Sequence, residues 1–259
     1  MEVRLDGRVA LITGGSMGLG RAMGEMFAAS GAAVVLVARR AEPLEAARAA
    51  IAAKGGAVLP VAADIATADG CKAAYAAAVE QFGRVDILVN NAGKSATAPF
   101  ETIDDAAWQD DLDLKLFAAI RLARLAFPDM KARSWGRIIN VLNTHAKAPG
   151  PRSAPTSVSR AAGLALTKVL AHEGAPHNVL VNALLVGQID SDQWIRQHAA
   201  SGSNQTYAEF LAEKGKAIPM GRVGRAEEFA SVACLLVSDA GGYVTGTAIN
   251  VDGGRSPIT

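Results

Sequence analysis

Residues 9–12, Val-Ala-Leu-Ile, run directly into Thr13-Gly14-Gly15-Ser16-Met17-Gly18-Leu19-Gly20, and a helical pattern follows from Arg21. No other stretch of the chain restricts its fold so tightly. An apolar strand that ends in clustered glycines and then turns into a helix is the opening of a βαβ unit. Glycines at 14, 18 and 20 permit positive φ and a close backbone approach. The helix start adds unpaired N–H groups and the positive end of a dipole. Gly14, Ser16, Met17, Gly18, Leu19 and Gly20 therefore read as a cradle for a pyrophosphate; glycines serving only a tight βα turn are the alternative.

The rest of the 259 residues keeps the same rhythm. Short β-branched runs at 34–37, 58–62, 87–90, 138–142, 179–185 and 249–251 alternate with longer helical patterns. The runs are mostly continuous in apolar character, as in strands covered on both faces. Strand–helix alternation of this kind implies a parallel sheet with right-handed crossovers. In the last helical pattern Phe229, Val232, Ala233 and Leu236 form one apolar stripe. No repeat or low-complexity linker divides the chain. The expectation is one α/β domain over 1–259: a doubly wound, seven-stranded parallel sheet with helices on both faces.

One long break interrupts the rhythm, at 189–217. It holds Trp194, His198, Tyr207 and Phe210 in two short helical patterns. A segment inserted after the carboxyl end of a strand is placed to cover a substrate there, with Trp194 and Tyr207 as pocket walls. A helical hairpin that only packs, or joins subunits, would read the same way.

Composition removes several function classes. Half the residues are hydrophobic, enough for a sizeable core, and 26 Lys+Arg against 25 Asp+Glu are interspersed. No basic stripe points to nucleic acid. No apolar run approaches the roughly 18 residues that span a bilayer. The start Met1-Glu2-Val3-Arg4-Leu5-Asp6 lacks the apolar core of a signal peptide. Cys71 and Cys234 show no metal-ligand spacing and read as buried thiols in a reducing compartment, without a metal site. A cytoplasmic location is expected.

About 20 residues past the glycine loop, a dinucleotide fold meets the adenosine ribose, and a carboxylate there favours NAD. This chain has Arg39-Arg40 after its second strand. A guanidinium pairs bidentately with a 2′-phosphate, so NADP(H) is the preferred cofactor. A solvated basic turn that also accepts NAD(H) is the alternative.

The spacing TGGSMGLG, with Asn90-Asn91-Ala92-Gly93 after the fourth strand, resembles the short-chain dehydrogenase/reductase family. Asp64-Ile65, Asn182, Pro219-Met220-Gly221-Arg222, Thr245-Gly246 and Val251-Asp252-Gly253-Gly254 extend the likeness over nearly the whole chain. The resemblance implies a Rossmann fold in which Asp64 and Ile65 flank the adenine. Asn91, Ala92 and Gly93 would border the cofactor, and Gly187, Ile189 and Ser191 the nicotinamide end. It also implies a homo-oligomer, tetramer or dimer, packed through the helices around 104–131 and 155–172.

At the catalytic positions the pattern breaks. The family normally supplies Asn, Ser, Tyr and Lys, with tyrosinate as acid/base, lysine lowering its pKa and serine polarising the carbonyl. Here Lys115, Asn143, Thr156 and Arg160 stand at those four positions. Threonine lacks the phenol's pKa of about 10 and is a poor proton donor. Arg160 stays charged and can clamp ribose hydroxyls or an anionic substrate. Asn143 can donate its amide to a developing oxyanion. Lys115 is the newly titratable group; burial beside Arg160 would draw its pKa toward neutrality and make it an acid/base. An ion pair to Asp111 or Asp113 is its bland alternative. His145, in the loop after the fifth strand, is a further donor candidate with a suitable imidazole.

Three functions follow: an NADP(H)-dependent carbonyl or alcohol oxidoreductase with a relocated proton donor, a non-redox lyase or hydrolase, or a silent cofactor-binding subunit. Halohydrin dehalogenases, related to the family, share an arginine at the lysine position but keep the tyrosine. The expected partner is a small molecule with an anionic group. For the oxidoreductase, Lys115→Met should abolish turnover and Thr156→Val should barely matter.

Overall fold

Alternation along each strand sets the architecture. In the first strand Ala10 and Ile12 point to one side, Val9 and Leu11 to the other, and all are buried. The same split recurs in the second, where Val34 and Leu36 oppose Val35 and Val37. A sheet apolar on both faces requires helices on both. The computed structural model, which describes residues 3–202 and 204–259, meets that requirement. Met1 and Glu2, part of the start read above for a signal peptide, and Ser203, inside the 189–217 segment, lie outside the described residues.

The strands are β1 (Val9–Thr13), β2 (Ala33–Ala38), β3 (Val58–Ala62), β4 (Ile87–Asn90), β5 (Gly136–Asn143), β6 (Val179–Val186) and β7 (Ala248–Val251). They form one 7-stranded sheet in the order β3-β2-β1-β4-β5-β6-β7, every neighbouring pair parallel. The sequence runs fall on these strands, the ends differing by one or two residues. Helices α1 (Gly18–Ala29), α2 (Ala41–Ala52), α3 (Ala68–Phe82), α4 (Asp105–Leu112), α5 (Ala118–Ala132), α6 (Thr156–Gly174), α7 (Asp192–Ala200), α8 (Tyr207–Gly215) and α9 (Ala226–Val237) connect them.

One core joins a sheet face to Met23 and Phe27 of α1, Leu44 and Ile51 of α2, and Phe229 and Ala233 of α9. The opposite core uses Cys71, Ala74 and Ala78 of α3, Leu122 and Ala126 of α5, and Ala171 of α6. Alanines at these contacts let the helices approach the sheet closely. Phe229, Ala233 and Leu236 of the sequence stripe are buried, with Val232 packed against the same core. Both cysteines are buried, free thiols.

Strand order runs outward in both directions from the β1–β4 pair, which opens a crevice at the carboxyl ends of those strands. The stretch read as one helix near 104–131 is interrupted: between α4 and α5, residues Asp113–Phe117 form a π-helical turn. Among the described residues no helix is long and apolar enough to cross a membrane, and no group of side chains is arranged to hold a metal ion.

Phe229 has no exposed surface and lies where α9 meets the sheet. Its replacement by alanine should lower stability by about 3–5 kcal/mol through lost burial and a residual cavity. Urea unfolding would show this as a lower midpoint at an unchanged slope.

Candidate active site and cofactor cleft

β1 carries its glycine loop into the crevice. Gly14 (φ 65°) and Gly18 (φ 52°) adopt left-handed backbone that a side chain would strain. The helix begins at Gly18, earlier than the Arg21 start read from sequence, because Gly20 packs directly on the loop. A Cβ on Gly20 would lie 2.2 Å from the Gly14 carbonyl oxygen. No side chain caps α1 at Met17, and its first turn has no acidic residue. Its leading N–H groups are thus compatible with a bound anion. Ser16 is buried in the loop, and Leu19 packs against the core beneath it.

Neighbouring strands close around this loop. Arg40 donates to Met17 Sδ at 2.9 Å, which lays its guanidinium against the loop; Arg39 beside it is exposed. Asn91 donates from Nδ2 to the carbonyls of Thr13 (2.9 Å) and Gly14 (3.3 Å). The N–H groups of Asn91 and Ala92 both reach Thr13 Oγ1, at 3.0 and 3.1 Å. Just past β3, Ile65 is buried and exposed Asp64 accepts the Ala66 N–H.

From β6, Gly187 packs so tightly that a Cβ would meet Asp252 Cβ at 2.4 Å. Ile189 is buried and bridges to Gly224. Ser191 and Asp192 then pass over the glycine loop: a Cβ on Gly18 would lie 3.8 Å from Ser191 Cβ and 3.9 Å from Asp192 Oδ2. The loop, Arg40, Asn91 and Ser191 thus share one cleft. Its glycine cradle, uncapped helix and guanidinium fit a phosphorylated dinucleotide.

At the β4–β5 side the cleft meets a buried polar cluster. An amide chain first fixes α6: Asn90 donates to Asn140 Oδ1 (2.9 Å) and Asn140 to Thr167 Oγ1 (2.9 Å). The start of α6 then presents Thr156, Ser159 and Arg160 on one side, facing α4 and the π turn. Lys115, in that turn, donates from Nζ to Asp111 and, at 2.7 Å, to Thr156 Oγ1. Asp111 accepts the Ser159 hydroxyl on its other oxygen at 2.6 Å. Thr156 Oγ1 also donates to the Ala96 carbonyl and accepts the Ala96 N–H, both at 3.0 Å.

Arg160 donates to the Val141 carbonyl at 2.7 Å, while its Nε is buried without a partner. Gly93 lies against it, since a Cβ there would sit 2.4 Å from Arg160 Nη2. Gly93 therefore leaves room for a guanidinium.

Burial is the main force on these charges. It pushes Lys115 down to about 8; the Asp111 hydrogen bond opposes the fall, and Arg160 and Lys94 add to it. Burial likewise pushes Arg160 down to about 10, so it stays a cation at neutral pH. Of the two partners considered from sequence, Asp111 holds Lys115, whereas Asp113 pairs with Arg121 at 2.9 Å.

Asn143 ends β5 with its Oδ1 buried and unpartnered at the cleft side of the sheet. His145 sits on the next turn, exposed and outside the Lys115 hydrogen bonds. Two participants were not singled out from sequence as site residues. Ser159 carried no signal, and Asp111 was visible only as an i, i+4 neighbour of Lys115. Gln188, whose Oε1 is also buried without a partner, joins Asn143 on this rim.

The 189–217 segment forms the two expected helices, α7 and α8. Its aromatics serve each other: Trp194 contacts Phe210 (5.9 Å between centroids), and His198 contacts Tyr207 (5.6 Å) and Phe210 (5.3 Å). Tyr207 donates to Asp190, and burial together with that carboxylate pushes its phenol up. Trp194 and Tyr207 therefore help to knit the hairpin.

Comparison with known proteins agrees with this geometry. A family model described as short chain dehydrogenase matches residues 8–201. L-sorbose reductase from Gluconobacter frateurii, solved with NADPH and L-sorbose, superposes with a TM-score of 0.95 at 35% identity over 100% of both chains. An NADPH-bound short chain oxidoreductase from Pseudomonas aeruginosa PAO1, described as containing an atypical catalytic center, gives 0.91 at 35% identity over 99% of each chain. The short-chain reductase protein NovJ of Streptomyces niveus is 35% identical over 248 residues, 95% of this chain and 93% of NovJ. By its glycine loop, its sheet order and these likenesses, the chain belongs to the short-chain dehydrogenase/reductase family.

Proposed function

We propose that the chain is an NADP(H)-dependent oxidoreductase for the carbonyl or alcohol of a small molecule, with Lys115 as its relocated proton donor. The observation that carries this reading is the Lys115 ammonium 2.7 Å from the Thr156 hydroxyl, at the start of α6 where the family's tyrosine belongs. A bound dinucleotide supplies or accepts the hydride. Gly14, Ser16, Met17, Gly18, Leu19 and Gly20 hold its pyrophosphate, and Arg40 with Arg39 pairs the 2′-phosphate. Asp64 and Ile65 flank the adenine; Asn91, Ala92 and Gly93, then Gly187, Ile189 and Ser191, border the remainder. NADPH in two solved relatives supports this choice, with NAD(H) as the competing ligand.

In reduction, Lys115 gives a proton to the carbonyl oxygen and is left as a neutral amine. Asn143 donates its amide to the same oxygen. Arg160 holds ribose hydroxyls or the anionic group of the substrate. Thr156, whose one proton already goes to Ala96, keeps the lysine and the 91–98 loop in register. The 189–217 segment covers the substrate, a role supported by Ser191 and Asp192 lying over Gly18. The atypical center described for the Pseudomonas aeruginosa relative supports a departure from the usual four groups.

A second reading, the silent cofactor-binding subunit, is favoured by one fact: the Lys115 side chain is 0% exposed, so substrate meets it only after the surrounding loops shift. Among the described residues no contact favours a lyase or hydrolase, and His145 has no side-chain partner there that orients it as donor. We further propose a homo-oligomer, dimer or tetramer, because Phe117 beside α5 and Val158 and Val169 on α6 are exposed. Light scattering should return a mass above one chain; a monomer would overturn this.

NADPH should bind more tightly than NADH by fluorescence titration and be consumed with a carbonyl panel at 340 nm. Lys115→Met should then lower kcat by about 10²–10⁴-fold with little change in NADPH affinity. Turnover equal to the wild type in that variant would remove Lys115 from the chemistry, and binding without turnover supports the silent reading. Thr156→Val should lower stability by about 1–3 kcal/mol, because it strands both Ala96 groups and takes from Lys115 one of its two hydrogen bonds.

The pH dependence has a definite sign. Reduction needs the ammonium, so kcat should decline as pH rises through about 8, while alcohol oxidation should increase over the same range. A flat reduction profile from pH 6 to 10 would contradict the assignment.

A further inference from the structure

The buried cluster contains one carboxylate that neither the usual chemistry nor the replaced positions explain. Asp111 lies on α4 with its side chain fully enclosed. Both of its oxygens are committed: Oδ1 to Lys115 Nζ, and Oδ2 to the Ser159 hydroxyl at 2.6 Å. Oδ1 also stands 3.5 Å from Thr156 Oγ1. Lys115, Asp111, Thr156 and Ser159 therefore form one connected set drawn from α4, the π turn and α6, with Thr156 tying it to Ala96 on the loop after β4.

The surroundings of Lys115 give this carboxylate its weight. Arg160 from α6 and Lys94 from the loop after β4 repel the ammonium, and among the described residues Asp111 is its salt-bridge partner. An enclosed ammonium facing two cations is unfavourable without a fixed counter-charge. A carboxylate held by one contact alone could rotate away. The Ser159 hydroxyl, on the rigid first turn of α6, prevents that rotation.

We propose that Asp111, locked by Ser159, is the positioning residue of this site, fixing the Lys115 ammonium against Thr156 and keeping it protonated for transfer. The assignment deepens the reading of Lys115 as proton donor and rests on it. In each turnover the carbonyl carbon would take its hydride from the bound dinucleotide while the lysine N–H bond breaks and a new O–H bond forms on the carbonyl oxygen. Water then returns a proton to the amine. The carboxylate neither touches the substrate nor moves a proton itself; it sets where the lysine nitrogen is and which form it takes.

The test is titration of the Lys115 side-chain nitrogen by NMR of protein labelled with 15N-lysine, its signal identified by its loss in Lys115→Met. In the wild type the midpoint should fall near pH 8. Asp111→Asn, a near-isosteric loss of charge, should move it down by a pH unit or more, and the high-pH limb of kcat for reduction should move with it. Ser159→Ala should shift both in the same direction by less, with kcat lowered several-fold and KM unchanged.

A midpoint in Asp111→Asn equal to or above the wild-type value would overturn the proposal. Should that variant not fold, Ser159→Ala decides: an unmoved midpoint and an unchanged kcat would overturn it. A purely structural role predicts lost stability without a displaced titration. The two readings remain separable, because full turnover in Lys115→Met removes the donor while the NMR midpoint still reports on Asp111.

Discussion

A strand covered on both faces leaves its middle to apolar side chains unless a polar one is paired, as Asn140 of β5 is with Asn90 and Thr167. Ala10, Leu11, Ile12, Val34, Val35 and Leu36 obey that restriction without exception, each fully buried. Polar groups gather instead where the strands stop: Thr13 on β1, Asn90 and Asn91 on β4, and Asn143 on β5. Because the sheet is parallel, all these ends lie at one edge. The cleft follows from sheet burial, and its Thr13–Asn91 clamp binds the β1 loop to β4 across the point where strand order diverges.

The second constraint is charge without water. Two cations, Lys115 and Arg160, approach Gly93 from different elements, and Asp111 is the anion between them. Such a group is stable as a unit and fragile in its parts, since removing one member leaves the others uncompensated. Two cations and a carboxylate therefore share one enclosed space beside the cleft.

Much of the fold was legible because local signals agreed with the global one. The seven β-branched runs became the seven strands, and Phe229, Ala233 and Leu236 face the core. The glycine loop was legible because positive φ at Gly14 and Gly18 leaves few alternatives. The buried polar cluster was only half legible. Lys115, Thr156 and Arg160 stand out by position, but Ser159 looks like any polar residue on a helix. That Lys115 pairs with Asp111 fits its i, i+4 spacing, whereas the π turn that carries Lys115 is announced by no periodicity. For Trp194 and Tyr207, aromatic content says that a surface is covered, not which surface covers it; part of that cover is the hairpin itself.

That π turn has a consequence for how the site can vary. A wide turn takes in an additional residue, and one residue of α-helix corresponds to about 100° of rotation. Five residues wound this wide turn the chain about as far as four of α-helix, so removing one between Asp113 and Phe117 would restore regular winding with little rotation of α4 against α5, yet would change which side chain the turn presents to Asp111. The helix face that packs on the sheet would survive the change, since Leu122 and Ala126 lie beyond it. The molecule thus holds a register shift in which the core is indifferent and the charges are not.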